Sequence, residues 1–116
     1  MNKTVLLVED EMFVALDLQM VFEDEGWRVA GPFPSTLEAL EYLAANRPDC
    51  AVLDVRLVDG DVFPVADALA NMQVPFVFHS GHAENAQLSS KYPDSKLYSK
   101  PCRPSDLLEE AKRMAA

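Results

Sequence analysis

Three short apolar runs constrain the fold of this chain more than any other feature. Val5-Leu6-Leu7-Val8, Cys50-Ala51-Val52-Leu53 and Phe76-Val77-Phe78 are unbroken rather than alternating. A strand with one wet face alternates apolar and polar side chains, whereas a strand buried on both faces reads as a continuous run. Segments with helical spacing separate the runs, so helices are expected to cover both faces of a mostly parallel sheet. In such a sheet the C-terminal ends of the strands gather at one edge, where ligands bind. Two of the runs end in acid: Glu9-Asp10-Glu11 follows the first, and Asp54 closes the second. Lys100-Pro101 closes a further strand-like segment. Carboxylates and one ammonium should therefore converge on a single point.

The pattern alternates along the whole chain. Thr4–Val8 reads as a strand, followed by a helix over Met12–Glu23 with Val14, Leu18, Val21 and Phe22 at helical spacing. Phe13, Leu16 and Met20 widen that stripe, which predicts a well-buried helix with Met12 and Phe13 in the core. Gly26 is its stop signal. Trp27–Gly31 reads as a shorter edge strand. Ser35-Thr36-Leu37-Glu38 is a capping box opening a helix to Asn46. Pro48 precedes the third strand, Cys50–Asp54. A glycine-bearing acidic turn, Val58-Asp59-Gly60-Asp61, leads into a helix over Asp61–Met72, with Pro64 in its first turn. Phe76–Ser80 is the fourth strand, Ala83–Lys91 a short polar helix and Ser95–Ser99 the fifth strand. Pro104-Ser105-Asp106 opens a last helix carrying Leu107, Leu108 and Ala111. The expected architecture is a doubly wound, three-layer α/β fold with five parallel strands in the order 2-1-3-4-5 and five flanking helices. Residues 1–116 read as one domain with no attached output domain.

The formal net charge of -9 argues against a nucleic-acid partner, which needs a basic surface. No apolar run approaches the roughly 20 residues of a membrane helix, and no signal segment opens the chain, so a cytoplasmic protein is expected. Two cysteines are too few for a disulfide scaffold. Cys50 reads as a small buried apolar residue and Cys102 as a semi-exposed thiol, with no bond between them.

Each candidate site residue has an ordinary reading taken alone: Glu9 and Asp10 as helix-capping acids, Asp54 as a turn residue, Lys100 as a solvated lysine, Ser80 as a loop hydroxyl. Their combination is less ordinary. The first and third strands should be neighbours, so Asp10 and Asp54 face each other, and unpaired carboxylates packed together repel. A divalent cation relieves that repulsion, and a few carboxylates plus waters suit magnesium. Lys100 is placed to bind an anionic oxygen. Ser80 is placed to donate to the same group, and Gly81 leaves room beside it.

In order and spacing, Glu9-Asp10, Asp54, Ser80 and Lys100-Pro101 resemble the receiver domain of bacterial two-component response regulators, across the whole chain. Asp54-Val55-Arg56-Leu57, Pro64-Val65-Ala66-Asp67-Ala68-Leu69 and Pro75-Phe76-Val77-Phe78-His79-Ser80-Gly81-His82 resemble a single-domain subclass known for a Phe-Ala-Thr-Gly-Tyr sequence after the fourth strand. Phe78 and Gly81 are kept here, whereas His79, Ser80 and His82 replace the other three residues. The resemblance implies a flavodoxin-like fold and a phosphoacceptor role for Asp54, with a sensor histidine kinase or a histidine phosphotransfer protein as donor. It implies Mg2+ held by Asp10, Asp54 and the backbone carbonyl of Arg56, with Glu9 acting through water. Lys100 and Ser80 would bind phosphoryl oxygens, and an unidentified downstream protein would read the switch.

The pattern is also broken in places. The aromatic residue that many receivers carry three positions before the lysine is Leu97 here, and the neighbouring Tyr98 points to the opposite face by strand alternation. Val58 replaces a usual proline, which predicts a looser loop. Arg56 and His82 stand where the family tunes the lifetime of the phosphoryl group. Two other readings compete. A small aspartyl-phosphate phosphohydrolase would carry an acid where Arg56 stands. A receiver-like binding module that is never phosphorylated would not need Asp10, Asp54, Ser80 and Lys100 together.

Overall fold

The computed structural model describes residues 2–81 and 85–116. The strands are β1 (Thr4–Val8), β2 (Arg28–Phe33), β3 (Cys50–Asp54), β4 (Arg56–Leu57), β5 (Gly60–Asp61), β6 (Phe76–Ser80) and β7 (Lys96–Ser99). The helices are α1 (Met12–Asp24), α2 (Thr36–Leu43), α3 (Phe63–Asn71), α4 (Asn85–Lys91) and α5 (Pro104–Met114). Five strands form one parallel sheet in the order β2-β1-β3-β6-β7. Numbered among themselves these are 2-1-3-4-5, the expected doubly wound order.

The unbroken apolar runs serve both faces. Leu6, Val8, Leu53 and Phe78 point to one side, against Ala39 and Leu43 of α2, Val65 and Leu69 of α3 and Leu88 of α4. Val5, Leu7, Val52 and Val77 point to the other, against Leu18 and Phe22 of α1 and Leu107 and Ala111 of α5. Each such Leu or Phe contributes about 1.5–3 kcal/mol by leaving water.

Four readings of helices and strands are corrected. Helix α1 buries Ala15, Leu18 and Phe22, whereas Met12 and Phe13 are 71% and 82% exposed and Leu16 and Met20 also face solvent. This helix is apolar on two faces, and periodicity alone does not choose which one meets the sheet. Strand β2 starts after Trp27, which is buried edge-to-face on Phe22 with ring centroids 5.3 Å apart, and runs on to Phe33. Helix α2 ends at Leu43, because the Asn46 side-chain amide caps the Tyr42 carbonyl at 3.0 Å. Asp61 lies outside α3, in a hairpin in which Arg56–Leu57 pairs with Gly60–Asp61, and its carboxylate accepts from the Phe63 N–H at 3.1 Å.

The loop at Val58 is tied rather than loose. Val58 N–H donates to the Pro34 carbonyl at 3.3 Å. Asp59 accepts from the Thr36 and Leu37 N–H groups at 2.8 and 3.1 Å, so the acid of this turn satisfies the start of α2. The expected capping box is also present: Ser35 Oγ accepts from Glu38 N–H at 3.2 Å and donates to the Glu38 carboxylate at 2.9 Å. Cys50 is buried and Cys102 half-buried, and both thiols are free.

A bulge connects the fold to the strand-end acids. The β1–β2 pairing shifts between Leu6 and Val8. At the shift, Gly31 has φ +102, and a Cβ there would lie 2.6 Å from Phe33 N and 2.7 Å from the Leu7 carbonyl. The shift lets the Phe33 carbonyl accept from the Glu9 N–H at 2.9 Å. Gly60 also has positive φ, at +128, but nothing lies within 4 Å of its Cβ position. Gly31→Ala should therefore cost more than the about 1–3 kcal/mol of backbone strain alone, and more than Gly60→Ala. Urea unfolding of both variants checks this, and equal losses would contradict the steric account.

Candidate functional site

Strand alternation assembles the site. On the α1/α5 side, Leu7 is followed two residues on by Glu9, Val52 by Asp54, Val77 by His79 and Tyr98 by Lys100. These four side chains therefore line up across the C-terminal ends of β1, β3, β6 and β7. Asp54 is directly opposite His79 in the β3–β6 register.

Asp54 is 6% exposed. Its Oδ1 accepts from the Val55 N–H at 2.8 Å, and its Oδ2 lies 3.2 Å from Lys100 Nζ. Lys100 Nζ also meets Glu11 Oε1 at 2.9 Å and Glu9 Oε2 at 3.3 Å. Glu9 is buried, and its Oε2 accepts from the Glu11 N–H at 3.1 Å. The structure thus brings Glu9, Asp54 and Lys100 together as the strand ends predict, with Glu11 rather than the expected Asp10 completing the tight carboxylate group, while the half-buried Asp10 feels the Asp54 charge. Arg56 is exposed in β4, two residues beyond Asp54. Ser80 is fully buried at the end of β6, but its hydroxyl donates to Asn85 Oδ1 at 2.9 Å. His82 lies outside the described residues.

Three participants were given no role in the site from the sequence, although His79 and Asn85 lie in the segment His79 to Lys91 expected to carry the signal. Glu11 belongs to the acidic triplet but carried no assigned role. His79 is one step of alternation beyond Val77, a signal hidden because Phe76-Val77-Phe78 is apolar at every position. Asn85 is joined to Ser80 through tertiary structure, with no sequence mark. His79 is 4% exposed, and neither ring nitrogen has a hydrogen-bond partner among the described residues. Its Nδ1 lies 3.9 Å from Glu9 Oε1. The ring lines a groove of about 400 Å³ between α1 and the β7–α5 turn, shared with Glu11, Val14, Lys100, Cys102 and Leu107.

One ammonium meets three carboxylates, with Asp10 next to Glu9 in sequence. Burial, then the hydrogen bond and charge of Asp54, push the Glu9 carboxyl up to about 8, and the same causes raise Asp10. Burial opposes the Lys100 charge, but Glu11, Glu9 and Asp54 together hold the ammonium above the ordinary lysine range. Burial and the Lys100 charge push His79 down to about 4, which leaves it a neutral imidazole near pH 7. Oxygens of Glu9, Glu11 and Asp54 lie within 4.8 Å of one another. An excess of hard oxygen donors, with one carboxyl held partly protonated by its neighbours, fits a divalent cation of the magnesium type.

The response regulator receiver domain family matches residues 5–112. The phyllosphere-induced regulator PhyR of Methylorubrum extorquens is 28% identical over 110 residues, covering 92% of this chain and 41% of that protein. This chain therefore spans less than half the length of that relative. A response regulator receiver protein from Sinorhizobium medicae superimposes with TM-score 0.86 at 29% identity, covering 98% of this chain and 94% of the other. SdrG from Sphingomonas melonis superimposes with TM-score 0.81 at 30% identity, covering 98% and 96%. Among the described residues, no helix is long and apolar enough to cross a membrane.

The acid pocket predicts an unusual pH dependence. A carboxyl raised in the folded state binds more protons there than in the unfolded chain, so Glu9 makes stability fall as pH rises from about 4.5 to about 8. His79, lowered from 6.5 to about 4, acts in the opposite sense below pH 6.5. Above that value Glu9 is unopposed by His79, and stability should decline as pH rises toward about 8. Urea midpoints from pH 6.5 to 8 should fall for the wild type and fall less for Glu9→Gln, in which the raised Asp10 remains. Magnesium should remove most of the decline, and a level wild-type profile in its absence would contradict the arrangement.

Proposed function

This chain belongs to the response regulator receiver domain family, and from that premise we propose that Asp54 accepts a phosphoryl group from the phosphohistidine of a sensor histidine kinase or a histidine phosphotransfer protein. The observation that carries the reading is the pairing of a buried Asp54 carboxylate with Lys100 at 3.2 Å, inside a cluster of further acids. The Val55 N–H pins Oδ1, which fixes the carboxylate plane and leaves Oδ2 toward Lys100. A carboxylate oxygen attacks phosphorus, the P–N bond to the donor imidazole breaks, and the imidazole leaves with its electron pair, giving an aspartyl phosphate. Lys100 exchanges carboxylate partners for a phosphoryl oxygen, and the Ser80 hydroxyl donates to another. Asp10, Asp54 and the Arg56 backbone carbonyl, with Glu9 through water, are the groups proposed to hold Mg2+, and Glu11 stands beside them. When bound, magnesium supplies charge neutralisation for the oxygens of the transferring group. We place this exchange in the cytoplasm, with an unidentified protein reading the product.

The exposed ridge of α1 supports docking of the donor. Met12, Phe13, Leu16 and Met20 are solvent-facing, and Met12 and Leu16 border a hollow with Glu9, Asp10, Pro32 and Pro34. An apolar patch beside the acceptor suits a helix pair presenting its phosphohistidine. Phe13→Ala should slow transfer from a phosphorylated histidine protein by about tenfold, in keeping with a loss of about 1.4 kcal/mol of docking. Its reaction with acetyl phosphate should be unchanged, and equal slowing with both donors would argue against a docking role.

Intact-mass spectrometry after incubation with acetyl phosphate and magnesium tests the acceptor directly. One phosphoryl adduct is expected on the wild type, with none on Asp54→Ala or in a chelated sample. An adduct that persists on Asp54→Ala would place the chemistry elsewhere.

A further inference from the structure

We propose that Asn85 is a positioning residue that holds the Ser80 hydroxyl away from Asp54, and that phosphorylation loosens α4 by drawing that hydroxyl off Asn85; this rests on the phosphoacceptor reading above. Ser80 and Ser99 are paired in register at the ends of β6 and β7. Asn85, the first residue of α4, bridges them: Ser80 Oγ donates to its Oδ1 at 2.9 Å, and its Nδ2 donates to Ser99 Oγ at 3.1 Å. The Ser80 backbone is fixed separately, because its carbonyl accepts from the Lys100 N–H at 2.7 Å. The hydroxyl is therefore free to turn without moving the strand.

A serine hydroxyl has one proton to donate. It cannot donate to Asn85 Oδ1 and to a phosphoryl oxygen on Asp54 together, so donation to the phosphoryl group ends the present bond to Asn85 Oδ1, and Asn85 could meet the hydroxyl again only by turning its NH2 away from Ser99. Among the described residues, the other contacts of helix α4 gather at Leu88 and at its far end, where Lys91 Nζ lies 4.3 Å over the Phe63 ring. Of its seven residues only Leu88 is buried. Elements with few buried contacts open at low cost, so one lost bond at the first residue weighs heavily. A tyrosine at the end of the helix limits the motion: Tyr92 donates to Asp67 at 2.6 Å and packs on Phe63, Phe76 and Phe78. The end of α4 that begins at Asn85 is thus the end that moves. No aromatic ring competes for this role at β7. Leu97 packs in the core under α4, while Tyr98 lies on the opposite face and donates to Glu110 at 3.1 Å.

Binding of magnesium-beryllofluoride to the whole chain by calorimetry, with amide exchange of residues 85–91 in the unliganded protein, tests the latch. Asn85→Ala and Ser99→Ala should each bind beryllofluoride about two- to tenfold more tightly, the range set by one hydrogen bond. Both should exchange faster over α4 before any ligand is added. Because both substitutions break one chain of bonds, the double variant should be no tighter than Asn85→Ala. Wild-type binding with both variants within twofold of it, or tightening without faster exchange, overturns the latch and leaves the acceptor reading standing. A wild type that binds no beryllofluoride overturns the acceptor reading itself and the coupling built on it.

Discussion

At the C-terminal edge of the sheet, Lys100 Nζ lies within 3.3 Å of carboxylate oxygens from Glu9, Glu11 and Asp54. These groups come from the ends of β1, β3 and β7 and the first turn before α1, so the cluster holds only if those strand ends stay in register. Removing Lys100 would leave buried carboxylates uncompensated, which is far costlier than losing a surface ion pair. The cluster remains over-supplied with negative charge even with Lys100 in place. That surplus is what suits the edge to the divalent cation proposed above, and cation and ammonium together would suit it to a phosphoryl group. The bulge at Gly31 and the bond from Glu9 N–H to the Phe33 carbonyl are the backbone means of placing the acids there.

The two faces of the sheet divide the work. The row of Glu9, Asp54, His79 and Lys100 continues the side covered by α1 and α5, beside the apolar ridge proposed to receive the donor. Ser80 continues the other side, where its hydroxyl meets Asn85 and α4. In the proposed reaction, a phosphoryl group on Asp54 would be read through the Ser80 hydroxyl, whose present bond to Asn85 ties the end of β6 to α4.

Much of this was legible in the sequence because burial writes a strong pattern. Continuous runs at Val5–Val8 and Cys50–Leu53 could only be strands buried on both faces, and the residues that ended them had to lie at the sheet edge. Glu9, Asp10, Asp54 and Lys100 followed from that argument. Features that depend on tertiary choice were hidden. Phe13, Leu16 and Met20 are as apolar as Ala15, Leu18 and Phe22, and only the sheet decides which line is buried. The hairpin of Arg56–Leu57 with Gly60–Asp61 is too short to show a period. The roles of Asp59 as acceptor for the Thr36 and Leu37 N–H groups and of Asn85 as the bridge between two serines depend on partners far away in sequence or across a turn.

The most direct measurement is a crystal structure of the chain with magnesium and beryllofluoride. The account predicts beryllium bonded to an Asp54 carboxylate oxygen, Lys100 Nζ moved from Glu11 onto a fluoride, and Ser80 Oγ turned from Asn85 toward the same group. An adduct on another residue, or on Asp54 with Lys100 still bound to Glu9 and Glu11, would contradict it.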